Sequence, residues 1–287
     1  MTERVLIIGA GHVGRGLYRA FRTTRGIDVL GLHGRRPSGF TTSYGGLPST
    51  IADANAIIVA VREDQIDDVL SDLINERGSG SRGRLASGTV ILHTSGSAEP
   101  QLLGNLSDVG LSGGTFHPLI PFADPDRSAE MLKHAWIGID GDDQARATSR
   151  RLAGHLGART LDIPAGSKAV YHAAAVMSSN FPVVLASLAS ELLAGLGIPE
   201  RSAQQAVHSL MEGAVANIGD TPPDEALTGP VARGDGDTVM RHLAALRGNP
   251  EAKAVYKRMS LAAIEMAARQ GVNPMRLEEL RKMLLLR

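Results

Sequence analysis

Short runs of β-branched and aliphatic residues alternate with amphipathic stretches through the first 163 positions, and this alternation predicts βαβ units around a mostly parallel sheet. The strands fall at Val5–Ile8, Val29–His33, Ala56–Val61, Thr89–His93, Thr115–His117, Trp136–Ile139 and Arg159–Ile163. Between them, Val13, Leu17, Ala20 and Phe21, and later Ile66, Val69, Leu70, Leu73 and Ile74, recur at the spacing that gathers apolar side chains on one helical face. These segments predict helices that cover the sheet. Arg77 to Arg84 contains only Gly, Ser and Arg and cannot pack a core, so it reads as a mobile surface loop without a function. The stretch from Gly34 to Gly46, rich in Gly, Pro, Ser and Thr, is placed to pass over a ligand bound beyond the second strand.

After Pro164 the pattern changes. Strand-like runs stop, Ala and Leu dominate, and helical periodicity continues to the C-terminus. The expected organisation is therefore an α/β domain over 1–163 and an all-helical domain over 164–287. The first helix of the second domain runs from Ser167 to about Leu196 with Pro182 inside it, where the missing N–H predicts a kink. Gly195 or Gly197 ends it, and Pro199 starts the next helix. An irregular segment, Leu227 to Asp235, interrupts the later helices.

Gly9-Ala10-Gly11-His12-Val13-Gly14 follows the first strand and opens the first helix, the context in which G-x-G-x-x-G marks a dinucleotide-binding Rossmann turn. Gly9 permits the tight turn, Gly11 lets a pyrophosphate approach the backbone, and Gly14 lets helix and strand close together, while the helix N-terminus supplies unpaired N–H groups. A carboxylate about 20 residues further on normally selects NAD. Here the second strand ends in Gly34-Arg35-Arg36, and two guanidiniums suit the 2′-phosphate of NADP(H). The competing reading of Arg35 and Arg36 is a solvated loop pair.

Ligands of a doubly wound sheet collect beyond the carboxyl ends of its strands. Val61-Arg62-Glu63-Asp64 ends one strand and is placed to pass the adenine or pyrophosphate side of the cofactor. His93-Thr94-Ser95-Gly96 ends the next, and His117-Pro118-Leu119 another. Thr94 and Ser95 are placed to orient the nicotinamide ribose, its amide or a substrate, and His93 and His117 to donate to a substrate oxygen. Ser and Thr there also serve as helix caps, and a strand-end His as a structural hydrogen bonder. In the first helix of the second domain, Lys168 and His172 share a face one turn apart, with Asn180 further along. An otherwise apolar, buried helix would not carry these residues without partners, and a desolvated lysine is a credible proton donor. The alternative leaves Lys168 in a solvated first turn and His172 as a core histidine. Arg233, after Thr228 in the irregular segment, either clamps a substrate carboxylate or pairs with Asp235 or Asp237.

Composition narrows the chemistry. The 287 residues contain no cysteine, which removes disulfides, thiolate metal sites and a cysteine nucleophile and suits the cytoplasm. Thirty basic residues balance thirty acidic ones, and aromatic residues are few, so neither nucleic acid nor an anionic membrane is an expected partner. The apolar run at the N-terminus is far shorter than a signal sequence or a membrane span. The histidines show no metal-ligand spacing, and no Gly-x-Ser-x-Gly elbow is present.

With these motifs the chain resembles the Rossmann-like family of bacterial proteins with a C-terminal helical domain of unknown function. That family is related to the 6-phosphogluconate, 3-hydroxyisobutyrate, ketopantoate and pyrroline-5-carboxylate reductases. The resemblance is carried by the glycine turn, His93-Thr94-Ser95-Gly96, His117-Pro118-Leu119, Tyr171-His172-Ala173-Ala174-Ala175, and Thr228-Gly229-Pro230 with Arg233-Gly234-Asp235. It implies a 6-phosphogluconate-dehydrogenase-like helical domain, NADP(H), and homodimers formed through the helical domains. It also implies a proton-donating lysine at Lys168, with His172 where the relatives carry asparagine and His93 where they often carry aspartate. The expected function is hydride transfer between NADP(H) and a small carbonyl or hydroxy compound in a cleft shared by the domains. Reduction of an imine and non-catalytic sensing of NADP(H) are the alternatives.

Overall fold

The computed structural model describes residues 2–78 and 85–285; the Gly/Ser/Arg segment 79–84 lies outside the described residues. The chain divides into two compact units, Met1–Phe181 and Pro182–Arg287. The division falls inside one long helix, beyond the change in sequence character after residue 163.

The first unit is built on eight strands: β1 (Glu3–Ile8), β2 (Ile27–Gly34), β3 (Ser43–Tyr44), β4 (Ala56–Val59), β5 (Val90–His93), β6 (Ser112–Pro118), β7 (Trp136–Gly141) and β8 (Arg159–Asp162). They lie in the order β3-β2-β1-β4-β5-β6-β7-β8, parallel except for the antiparallel pair β6 and β7. The chain winds outward from β1 to β3 and then crosses back to β4. That reversal opens a crevice over the carboxyl ends of β1 and β4, where such sheets bind ligands. All seven strands expected from the sequence are present, and the two-residue β3 is an addition.

Alternation along β1 divides the core in two. Val5 and Ile7 face one side with Leu17, Phe21, Phe116 and Leu152, whereas Leu6 and Ile8 face the other with Ile57, Val59, Ile66 and Leu73. Helices α1 (His12–Arg22) and α4 (Asp143–Leu156) supply the first layer, and α2 (Ile66–Gly78) the second. The short α3 (Pro125–Met131) packs on α1. Both α3 and α4 are capped by aspartates: Asp124 accepts from the Asp126 N–H and Asp142 from the Ala145 N–H.

Helix α5 (Lys168–Ala194) contains Pro182 and spans the division between the units. The expectation that this apolar helix is buried does not hold within the chain. Lys168 is its one buried residue, while Val170, Met177, Phe181 and Val183 are exposed. By length and composition alone α5 is apolar enough to cross a membrane. The second unit continues with α6 (Glu200–Asp220), capped by Pro199, then α7 (Pro223–Ala226), α8 (Gly236–Ala245), α9 (Pro250–Arg269) and α10 (Pro274–Leu285). Its core joins Val239, Ile264, Leu277, Leu280 and Leu284 from the last three helices to Val231 of the irregular segment. The exposed Leu210, Val215 and Ile218 of α6 lie outside that core.

Candidate active site

The glycine turn has the geometry its sequence requires. Gly9 has φ +114°, and a Cβ there would lie 2.2 Å from the Ala60 carbonyl oxygen. At Gly14 a Cβ would lie 1.8 Å from the Gly9 oxygen, so helix and turn touch there through backbone alone. Gly11 differs: a Cβ built on it meets nothing within 4 Å. It is the N-cap of α1, whose first turn carries no acidic residue, so free N–H groups and the positive helix end face open space. The groove at this turn is also lined by His12, Val13, Arg35, Arg36 and Val61. Both arginines are exposed, and neither guanidinium makes a hydrogen bond or ion pair among the described residues. By contrast, Arg62 is committed to Asp64 by two bonds of 3.1 and 2.6 Å. His12 Nδ1 lies 2.9 Å from the Phe122 carbonyl oxygen.

Beyond β5 and β6 a buried polar cluster surrounds Lys168. The lysine is 0% exposed, and its ammonium donates to the Ala98 oxygen at 2.5 Å, to Thr115 Oγ1 at 2.6 Å and to the Ser95 oxygen at 3.4 Å. Its backbone N–H donates to Glu99 Oε1 at 3.2 Å, which ties the start of α5 to the loop after β5. Burial lowers the Lys168 pKa from 10.5 to about 8, with Asp140, Glu99 and Glu63 opposing the shift. His93 is equally sealed. Its Nδ1 accepts the Ser95 N–H, which leaves the ring proton on Nε2, 3.2 Å from Thr115 Oγ1. Burial first, then Lys168 and His117, holds its pKa at about 3, so the ring is neutral. Thr94 is also buried, its N–H bonded to the Val59 oxygen.

The groups that reach the surface form a second tier. His117 Nδ1 lies 2.6 Å from the Tyr171 hydroxyl, and its ring meets the His172 ring edge-on at 6.2 Å. Burial, with His172 and Lys168 adding to it, lowers the His117 pKa to about 4, and burial raises that of Tyr171. Two glycines make room for this group. A Cβ on Gly96 would lie 2.7 Å from His172 and 2.8 Å from His117, and one on Gly138 would strike the Tyr171 ring. His172 makes no hydrogen bond among the described residues and is only half-buried. Beside it, Glu63 Oε2 accepts from Ser95 Oγ at 2.8 Å and Ser97 Oγ at 2.5 Å. These bonds, Ser97 before Ser95, hold the Glu63 carboxyl below its usual range, with His172 and Lys168 contributing less.

The structure thus brings His93, Ser95, His117, Lys168 and His172 together in the first unit. Asn180 lies two turns further along α5, exposed. In the second unit, Thr228 lines an apolar groove with Leu188, Leu227, Tyr256 and Met259, and Arg233 is exposed with no ion pair among the described residues. Sequence reasoning gave no role to Thr115 or Tyr171, and it placed Glu63 only within a segment passing the adenine or pyrophosphate side of the cofactor. Tyr171 lay within a quoted motif, and Glu63 directly after a strand, but nothing local marked their partners.

Residues 135–263, from just before β7 into α9, match the model of a domain of unknown function (DUF2520). No curated protein matches the sequence. Among solved structures, protein TM1727 from Thermotoga maritima is 23% identical with a TM-score of 0.71, covering 93% of this chain and 99% of its own. Protein BF3122 from Bacteroides fragilis, provisionally described as an NADP oxidoreductase, is 20% identical with a TM-score of 0.70, covering 92% and 98%. Pyrroline carboxylate reductase from Plasmodium falciparum, solved with NADP bound, is 13% identical with a TM-score of 0.62, covering 98% of each chain. At these identities the likeness is one of fold: a Rossmann-type sheet followed by helices, in agreement with the resemblance drawn from the motifs.

Proposed function

We propose that this protein is an NADP(H)-dependent reductase or dehydrogenase acting on a small C=O or C=N compound. The observation that carries the reading is the open Gly11 position at the mouth of a groove that also holds two uncommitted arginines. The residues fit the cofactor: backbone N–H groups of the turn would take the pyrophosphate, Arg35 and Arg36 the 2′-phosphate, and Val61 the side of the nucleotide. NADPH would supply the hydride. The related fold of a reductase solved with NADP bound supports the assignment.

Exchanging Arg35 and Arg36 together for alanine is expected to weaken NADPH by about tenfold or more and leave NADH nearly unchanged, the size of a lost guanidinium–phosphate pair. Isothermal titration with both nucleotides checks this. Equal weakening of the two would reduce the arginines to a solvated pair.

The protein's own residues divide the proton chemistry. Lys168 has all three ammonium hydrogens directed at acceptors and no exposed surface, so it acts through its neighbours. His172, half-buried with free ring nitrogens, is the group placed to hand a proton to a substrate and recover it from solvent. His117, kept neutral, is a hydrogen-bonding and positioning group beside it.

The exposed apolar length of α5 supports a homodimer through the helical segment. Val183, Val184 and Leu192 stand uncovered on α5, and Leu210, Val215 and Ile218 on α6, a surface too apolar to leave in water. A membrane suits α5 less well, because Lys168 in its first turn is hydrogen-bonded into the loops of the sheet. Light scattering without detergent is expected to give twice the mass of the 287-residue chain, and Leu210→Glu with Val215→Glu to give a monomer or an insoluble protein. A monodisperse wild-type monomer would refute the dimer.

A further inference from the structure

The sequence leaves two substrate classes open, a small carbonyl or hydroxy compound and an imine, and one side chain separates them. Glu63 follows β4 at the carboxyl end of the sheet, two residues beyond Val61 of the nucleotide groove. Its Oε2 takes both serine hydroxyls, and Ser95 Oγ is itself fixed by the Ala98 N–H at 3.0 Å. The carboxylate is therefore held in one orientation from behind. Its Oε1 has no partner among the described residues. Among the described residues no arginine or lysine satisfies it: Arg62 is turned onto Asp64, and the Lys168 ammonium is spent on Ala98, Thr115 and Ser95. An exposed but pre-oriented anion thus stands near enough to His172 for the two to interact electrostatically.

We infer that Glu63 is a specificity-determining residue that selects a substrate bearing a positively charged nitrogen, an iminium or the amine formed by its reduction. The inference rests on the reading of the site as a reductase. A carboxylate so placed attracts a protonated C=N group and repels the carboxylate of a hydroxy acid, and because two hydroxyls already fix it, little ordering is needed when the cation arrives. Neutral His117 adds no competing charge; hydride addition to an iminium gives a neutral amine, and half-buried His172 beside His117 would donate the proton that converts it to an ammonium and be reprotonated from solvent.

The test uses the full chain loaded with NADP+ and three ring compounds of similar size: pyrrolidine, cyclopentanol and cyclopentanecarboxylate. Binding is followed by ligand-observed NMR at pH 7. Pyrrolidine is expected to bind about tenfold tighter than cyclopentanol, with cyclopentanecarboxylate weakest, as one partly exposed charge pair implies. Glu63→Gln should erase that order while NADPH affinity stays within about twofold, and Glu63→Lys should reverse it in favour of cyclopentanecarboxylate. Equal binding of pyrrolidine and cyclopentanol to the wild type, or survival of the preference in Glu63→Gln, overturns the inference. So does a Glu63→Gln protein whose only change is its affinity for NADP+ relative to NADPH, since the carboxylate then serves the nucleotide. Failure of the wild type to bind NADPH at all would instead remove the reductase reading.

Discussion

Gly14→Ala is expected to cost about 3 kcal/mol or more of stability and to abolish NADPH binding, whereas Gly11→Ala, three residues earlier, should leave the fold intact and damage the ligand site alone. The difference is geometric. At Gly14 the added methyl lies 1.8 Å from the Gly9 oxygen, and Gly9 cannot retreat because its own Cα faces the Ala60 carbonyl. Relief would require α1 to lift from β1, exposing Leu17 and Phe21 of the core. At Gly11 the backbone has φ −72°, which alanine adopts freely, and no atom stands within 4 Å of the new methyl. Its stability should remain within about 0.5 kcal/mol of wild type. The methyl would occupy the space through which a pyrophosphate approaches, so NADPH should weaken by about tenfold or more. Urea denaturation reads the first quantity and calorimetric titration the second. Unchanged NADPH affinity in Gly11→Ala would mean that the turn is not the anion cradle.

Lys168→Met should destabilise the protein by about 2 kcal/mol at pH 7 and remove a distinctive pH dependence. Methionine matches the length of the stem but leaves the Ala98 oxygen without a donor and loosens the loop after β5 from α5. Relief from desolvating the charge offsets only part of the loss. In the wild type, below pH 8 folded and unfolded chains both carry the lysine proton and its burial cost is constant. Between about 8 and 10.5 the unfolded chain keeps a proton the folded one has released, so unfolding takes up a proton and stability rises with pH. Denaturation midpoints between pH 7.5 and 9.5 should climb in the wild type and lose that increment in Lys168→Met. His172→Ala, at a half-buried position, should keep wild-type stability while turnover falls by about a hundredfold. A His172→Ala enzyme with full turnover would return the proton transfer to Lys168.

The parts of the site legible in the sequence are those whose chemistry is local. Gly9, Gly11 and Gly14 lie within one turn, Arg35 and Arg36 directly follow one strand, and the unbroken apolar runs Val5–Ile8 and Ala56–Val59 declare a sheet buried on both faces. Helix α4 was missed because arginines, serines and a glycine dilute its apolar stripe, although Asp142 at its N-cap and Gly157 past its end, with φ +77°, are readable signals. Lys168 was singled out on the premise that the helix around it is buried. The lysine is indeed sealed, but it is sealed under the loops after β5, while the helix stays open. The remaining contacts join distant positions: Ser95 meets Glu63 across 32 residues and His117 meets Tyr171 across 54. A glutamate after a strand reads as solvated charge until the sheet order sets β4 beside β5 and lets two serines grip it.

The margins of the sheet determine how copies of the chain can meet. At one side lies the two-residue β3, too brief to template a further strand. At the other lies β8, whose Arg159 covers Trp136 and whose Asp162 is held by Arg150, which sets paired charges along the open rim. Neither border offers an incoming backbone a clean ladder of amides and carbonyls. Strand addition, which can grow without limit into fibres, is thereby disfavoured, whereas the helical contact of the proposed homodimer would close on itself and stop growth at two.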